Sequence, residues 1–302
     1  MNSIDWNRAC RPSILIPAVT RMLVDGGIDS PAAEAQLLVG ELISGEPILA
    51  PALEPAAMQR LRAMVEERLS GRPLQHILGW VQCGPLTLQC DERALVVRPE
   101  TELLVAEGVL ELAALPAVQR QAVDLCTGSG AIALAMAAQV PHARVVAVDC
   151  DAQALSLARE NLARYRALLD DMGSQVEFIQ ADVRALPPGI SGNLLVANPP
   201  YLPAGEQLPR EVCHDPALAL YGGGEDGLDL PRACVQAAAT IIAPGGRVLI
   251  EHHDDQGPEM RQAAVAAGMD DVHTLADLAG RDRFLSARVG VQQGSDSGRI
   301  EA

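Results

Sequence analysis

Ala122-Val123-Asp124-Leu125-Cys126-Thr127-Gly128-Ser129-Gly130 is the stretch on which the reading of this chain turns. Its first four residues are a short, mostly apolar run bounded by a glycine turn, the pattern of a buried strand. Ala131 to Gln139 follows without a breaker and reads as a helix. The two glycines let the backbone pass very close to a ligand at the start of that helix. A turn of this kind is weak evidence alone, because many strand-to-helix connections carry glycine.

The residues downstream repeat the pattern. Arg144 to Val148 reads as a second strand ending in Asp149, and Ala152 to about Leu169 as a helix. Val176 to Ile179 is a third strand, ending near Asp182, and Leu194 to Ala197 a fourth, stopped by Asn198-Pro199-Pro200-Tyr201. A long loop is expected from Pro203 to Gly227, then a helix from Leu230 to Ile242 and a strand from Arg247 to Glu251. Met260 to Ala267 reads as a helix and Phe284 to Val289 as a closing strand. Alternation of this kind predicts a mostly parallel sheet covered by helices on both faces, a doubly wound Rossmann-like α/β domain. The polar, Gly/Ser-rich tail, residues 291–302, reads as disordered.

Upstream the periodicity changes. Apolar residues spaced by three and four (Val19, Met22, Leu23; Ala33, Leu37, Leu38; Met58, Leu61, Met64, Val65) describe a small bundle of amphipathic helices. Asp29-Ser30-Pro31 is a capping residue followed by proline in the first turn. Between Gly71 and Pro99 the short runs Ile77–Val81, Leu86–Leu88 and Leu95–Val97 read as a β-hairpin linker. Arg98-Pro99-Glu100-Thr101-Glu102 then opens a helix, with acids in its first turn to suit the helix dipole. The expected domains are a helical docking domain over 1–72, a hairpin linker over 73–98 and a catalytic domain over 99–290.

Composition sets limits. A net charge of −16 argues against broad binding to nucleic-acid phosphates. Aromatic residues are only 2% of the chain, which makes Tyr201 more informative than it would be elsewhere. The seven cysteines show neither C-x-x-C pairs nor metal-finger spacing, and no run is long and apolar enough for a membrane span. These features predict a cytoplasmic chain with reduced thiols and no membrane partner.

The site chemistry follows from the strand ends. Asp149 stands near the roughly 20-residue offset at which an acid meets ribose hydroxyls. A dinucleotide loop would place a third glycine at position 133, which is alanine, and the acid before the turn disfavours pyrophosphate. That acid instead suits a cationic, amino-bearing ligand, and S-adenosylmethionine carries a sulfonium and an ammonium but no phosphate. Asp182, with Val183 beside it, is placed to accept from an adenine amino group. Two prolines hold the turn after Asn198 nearly rigid, presenting one carboxamide and one ring. Glu251-His252-His253-Asp254-Asp255 hints at a metal, but adjacent strand-end side chains point in alternate directions, so no metal is expected.

Taken together, D-L-C-T-G-S-G-A-I-A-L-A and N-P-P-Y resemble class I S-adenosylmethionine-dependent methyltransferases that modify a planar nitrogen. G-R-P-L-Q-H-I-L-G, R-P-E-T-E-L-L-V, H-D-P-A-L-A-L-Y-G-G-G-E-D-G-L-D and D-L-A-G-R-D-R-F are similar to the bacterial peptide chain release factor glutamine methyltransferases. The likeness covers Gly71 to Val289. Val97, Gln82-Cys83 and Cys126 depart from it, the last standing where the family usually has glycine.

The resemblance implies N5-methylation of the glutamine in the Gly-Gly-Gln motif of class I peptide chain release factors; a monomer without direct nucleic-acid contact is expected. It implies a cofactor site of Asp124, Cys126, Thr127, Gly128, Ser129, Gly130, Asp149, Asp182, Val183 and Asn198. Asn198 and the Pro199 carbonyl would accept from the substrate amide, with Pro200 and Tyr201 lining it. A ribosomal-protein glutamine is the nearest alternative substrate. DNA adenine-N6 methylation is disfavoured by the acidity, and a binding module without turnover by the intact Asn198 and glycine turn.

Overall fold

The computed structural model describes residues 4–47 and 49–291. Most of the expected tail, from residue 292, lies outside the described residues. The chain divides into two compact units: the described part of Met1–Val81 with Cys90–Glu92 and Leu208–His214, and the remainder from Gln82 on.

The first unit is helical: α1 (Pro12–Asp25), α2 (Pro31–Gly40), α3 (Pro55–Leu69) and the short α4 (Leu74–Leu78). Each of the first three opens on proline, whose missing N–H is one the first turn leaves unpaired anyway. Ser30 stands at the N-cap of α2, but its side chain makes no capping bond. Leu15, Val19 and Leu23 of α1 meet Leu38 and Val39 of α2 and Met58, Leu61 and Val65 of α3 in one buried cluster. Arg68 is buried beside them, its Nε 2.6 Å from Glu34 Oε2 and its Nη2 3.1 Å from Glu34 Oε1 and 2.9 Å from Glu211. Removing one partner of such a pair strands the other charge, so Arg68→Ala is expected to lower stability by about 3 kcal/mol. A denaturant titration showing less than about 1 kcal/mol of loss would mean that solvent already screens the pair.

The second unit is built on a seven-stranded sheet of order β5-β4-β3-β6-β7-β9-β8. Its strands are β3 (Gln121–Leu125), β4 (Arg144–Asp149), β5 (Gln175–Gln180), β6 (Gly192–Ala197), β7 (Ile242–Glu251), β8 (Met269–Ala276) and β9 (Asp282–Val289). All but β9 run parallel, and β9 lies antiparallel between β7 and β8. The helices are α5 (Thr101–Ala114), α6 (Ala131–Ala137), α7 (Ala152–Asp171), α8 (Asp229–Ile241) and α9 (Gly257–Ala266). Val123, Leu125, Leu195, Ala197, Val248 and Ile250 are fully buried strand residues, and α8 covers their face with Cys234, Val235 and Ala238. This is the doubly wound sheet that the alternating pattern requires.

Two local readings are corrected and one strand is new. Ile77 and Leu78 belong to α4, which stops at Gly79, and the hairpin is formed by β1 (Trp80–Cys83) and β2 (Leu86–Gln89). Leu95–Val97 is no strand: the Val96 amide donates to the buried Asp215 carboxylate (3.1 Å), which takes the place of a ladder. Strand β8 has no apolar run to announce it. It is a sheet edge with exposed Asp270 and Asp271, and its register shifts where Asp271 adopts a positive φ of 50°.

Candidate active site

Between β3 and its neighbours β4 and β6 the chain order reverses, and at such a point the strand C-termini diverge to leave a crevice. Leu125 is in register with Val148 on one side and Ala197 on the other, so the turns after three strands lie side by side. A cavity opens there, lined by Cys126–Ser129, Asp149, Asp182, Val183, Asn198 and Pro200, with Leu95, Val97 and Leu230 as apolar wall.

The glycine turn is tied down by two carboxylates. Asp124 is fully buried, and its Oδ2 accepts from Thr127 Oγ1 (2.6 Å) and the Ala133 amide (3.2 Å). Asp149 Oδ2 accepts from the Gly128 amide (2.8 Å), and its Oδ1 from the Asp151 amide (2.9 Å). Gly130 does not line the cavity; a Cβ there would lie 3.0 Å from Phe178 Cζ and 3.2 Å from Ala158 Cβ. Its glycine thus serves close packing, at a φ of 80°. Cys126 has a φ of 58°, the left-handed region in which glycine is unstrained and other residues lose about 1–2 kcal/mol. Burial raises the Asp149 carboxyl above its ordinary range, against the pull of its amide donors. At the far rim, hydrogen bonds from Arg184 hold Asp182 down at about 2.

Asp124 is placed differently from its sequence reading. It is absent from the cavity lining and works beneath the turn, with its Oδ1 buried and unpartnered. Burial pushes its carboxyl up to about 7, aided by the negative Asp149 and opposed by Thr127 and Ala133. The unfolded chain releases this proton near the ordinary 3.8 while the folded chain holds it to about 7. Stability therefore falls as pH rises from about 4 to 7 and is level above, by on the order of a few kcal/mol. Asp124→Asn is expected to shrink the loss of urea stability between pH 5 and pH 7.5 by that amount. Glu251, likewise pushed up to about 7 by burial, titrates in the same window in both proteins, so the difference between wild type and variant reports Asp124. An undiminished loss in the variant would contradict the assignment.

Asn198 faces the cavity, and its Nδ2 donates to Thr101 Oγ1 (3.3 Å). Pro199 and Pro200 are buried, and only Pro200 of the two lines the cavity. The Tyr201 hydroxyl lies 3.5 Å from Glu251 Oε1, its ring is 6.3 Å from that of His253, and its carbonyl accepts from Gln256 Nε2 (2.9 Å). Burial and the neighbouring Glu251 carboxyl raise the Tyr201 phenol above its usual range. The sequence reading missed Thr101 and Glu251, both buried at the heart of this cluster. Their signal was present in R-P-E-T-E and in the acid ending the strand before His252, but neither segment states a role.

The long loop packs its backbone on the Asn198 turn. The Leu202 amide donates to the Leu220 carbonyl (2.9 Å) and the Gly222 amide to the Leu202 carbonyl (3.1 Å). His253, Asp254 and Asp255 do not alternate as strand side chains would, because β7 ends at Glu251 and these residues fold into a turn. There His253 Nδ1 sits 3.1 Å from Asp254 Oδ1 and 2.7 Å from Asp255 Oδ1, contacts between neighbouring residues on a partly exposed turn.

The donor set fits S-adenosylmethionine better than a phosphorylated ligand. The lining arginines are already engaged, Arg93 by Glu160 and Arg184 by Asp182, while Asp149 stands at the cavity wall. Open space lies over Gly128, where an added Cβ meets nothing within 4 Å.

Comparison with known proteins agrees with this architecture. Residues 101–226 match the family described as Methyltransferase small domain, and residues 15–79 match the PrmC N-terminal domain. The release factor glutamine methyltransferase of Deinococcus radiodurans is 39% identical over 288 residues, spanning 91% of this chain and 97% of that protein. That of Mycolicibacterium smegmatis is 39% identical over 281 residues, spanning 90% and 95%. A methyltransferase of known structure from Pyrococcus furiosus shares the fold with a TM-score of 0.50 at 17% identity, over 68% of this chain and 90% of that one. This chain belongs to the release factor glutamine methyltransferase family.

Proposed function

We propose that this enzyme transfers a methyl group from S-adenosylmethionine to N5 of the glutamine in the Gly-Gly-Gln motif of class I peptide chain release factors. The observation that carries the reading is Asn198 at the cavity wall beside the Cys126–Ser129 turn, in a chain 39% identical to enzymes named for this activity. In this reading Asp149 takes the ribose hydroxyls, Asp182 and Val183 the adenine, and Cys126 to Ser129 the backbone approach to the cofactor. Asp124 and Gly130 belong to the site by holding the turn in shape. The cofactor supplies an electrophilic methyl on a sulfonium.

An amide nitrogen is a weak nucleophile because its lone pair is shared with the carbonyl. Asn198 Oδ1 and the Pro199 carbonyl are both acceptors, and together they hold the NH₂ group and favour its pyramidalisation. With the cofactor bound, an N–CH₃ bond would form as the S–CH₃ bond breaks, the electron pair would stay on sulfur and the surplus proton of the nitrogen would pass to solvent. Neither acceptor is a strong base, so the rate gain comes from positioning and fixed dipoles. Tyr201 and Pro200 flank the amide.

Residues 1–72 serve as the docking domain for the protein substrate, 73–98 as linker and 99–290 as the catalytic domain. The matches at 15–79 and 101–226 support this division. The enzyme works as a cytoplasmic monomer without direct contact to nucleic acid; a net charge of −16 supports the last of these. Among the described residues no helix is long and apolar enough to cross a membrane. The test is incubation with a purified release factor and methyl-labelled cofactor, followed by mass spectrometry of the Gly-Gly-Gln peptide. Label on the glutamine supports the reading; cofactor binding without label on the factor overturns it.

A further inference from the structure

We propose that Thr101 and Glu251 are positioning residues that decide which way round the Asn198 carboxamide faces, turning its oxygen toward the substrate NH₂. The inference rests on the reading of Asn198 as an acceptor for the substrate amide. The two ends of a carboxamide are almost equal in size, so packing alone does not select between them. Hydrogen-bond chemistry does.

Asn198 Nδ2 lies 3.3 Å from Thr101 Oγ1, and Thr101 Oγ1 lies 3.3 Å from Glu251 Oε2. A hydroxyl has one proton to give, and an ionised carboxylate can only accept. With Glu251 ionised, the Thr101 proton is committed to Oε2, which leaves only lone pairs facing Asn198. Asn198 must answer with its NH₂, and its Oδ1 is turned away from Thr101. The Tyr201 hydroxyl, 3.5 Å from Oε1, donates to the same carboxylate from the other side. Every donor direction is thereby set by one buried charge.

Protonation of Glu251 reverses the argument. A carboxylic acid can donate to Thr101 Oγ1, which frees the threonine proton to point at Asn198. The carboxamide then answers with its oxygen and presents NH₂ to the substrate NH₂, two donors face to face. The groups around Glu251 are Thr101 and Glu100 at the start of α5, Tyr201 on the Asn198 turn and Arg283 on β9. Burial outweighs the attraction of Arg283 and pushes the carboxyl up to about 7. The oriented state is accordingly favoured above that pH and lost below it.

The experiment measures kcat, KM and cofactor affinity of the full chain with release factor from pH 5.5 to 9, for the wild type, Thr101→Val, Thr101→Ser and Glu251→Gln, with Asn198→Ala as reference. Thr101→Val keeps the shape and deletes the relay, so kcat is expected to fall about 10–100-fold, less than the roughly 10²–10³ of losing the dipole at the reacting centre because the Asn198 carboxamide remains, with cofactor affinity within a few-fold. Thr101→Ser restores it. The wild type is expected to lose kcat as pH drops below about 7, and Glu251→Gln, whose side chain gains no proton over this range, to lack that limb. A Thr101→Val enzyme within twofold of wild type, or an acid limb that persists in Glu251→Gln, overturns the proposal. Should Thr101→Val fail to fold, the Glu251→Gln profile decides alone. Full activity in Asn198→Ala would instead overturn the underlying reading of Asn198, and the relay with it.

Discussion

Asn198→Ala is expected to lower kcat by about 10³-fold while leaving cofactor affinity within a few-fold, since one positioned dipole at a reacting centre is worth about 10²–10³. Among the described residues the Asn198 side chain makes one hydrogen bond, to Thr101, so its loss removes little from the fold. The cofactor cavity keeps its glycine turn, Asp149 and Asp182, none of which leans on Asn198. Single-turnover methylation read beside calorimetric cofactor binding separates the two effects. A kcat within tenfold of wild type would remove Asn198 from the chemistry and leave the Pro199 carbonyl as the principal acceptor.

Gly227→Ala is expected to damage the same chemistry from a distance. Gly227 has a φ of 74°, and a Cβ there would lie 2.2 Å from the Tyr201 carbonyl oxygen and 2.8 Å from the Leu202 carbonyl carbon. Those atoms are backbone and cannot swing aside. Gly222 sits against the same surface, its added Cβ falling 1.8 Å from the Gly227 carbonyl and 2.6 Å from that of Pro200. The left-handed backbone alone is worth about 1–2 kcal/mol and forced backbone shifts about 1–3 more. The variant is expected to lose roughly 2–5 kcal/mol of stability. It should also lose most of its kcat wherever it remains folded, because the displaced atoms belong to the turn that carries Asn198. Gly189→Ala is the control, with a φ of 93° but nothing within 4 Å, so that it bears the conformational term alone. Equal losses in the two variants would show that the close approach to Tyr201 is unimportant.

Gly227 also shows why a fingerprint can be recognised without being understood. G-G-G-E-D-G was legible as a family segment, yet its purpose is a backbone-to-backbone contact with residues some 25 positions earlier. Gln256 ties that contact together, its Nε2 donating to the carbonyls of Tyr201 and Asp226 at 2.9 Å each. No local pattern encodes such a pairing. Leu95–Val97 carries the opposite lesson. Its apolar, β-branched run suits a strand, but Asp215 takes the Val96 amide and turns Leu95 and Val97 toward the cavity.

The order of elements, the parallel sheet and the glycine turn were readable because they depend on short-range rules. Strand C-termini must hold the ligand when alternating units wind both ways, and glycine, proline and periodicity mark those termini along the chain. From this the places of Asp149, Asp182 and Asn198 around one crevice followed without coordinates. Tertiary structure alone decided which of the acids faces that crevice and which lies beneath it. It withdrew Asp124 under the turn, gave Gly130 to packing against Phe178, and buried Glu251 behind Thr101 and Tyr201. Burial and hydrogen-bond direction are properties of neighbours distant in the chain. The same carboxylate is a solvated strand end or a buried group near neutrality according to what packs over it, and only the folded chain states which.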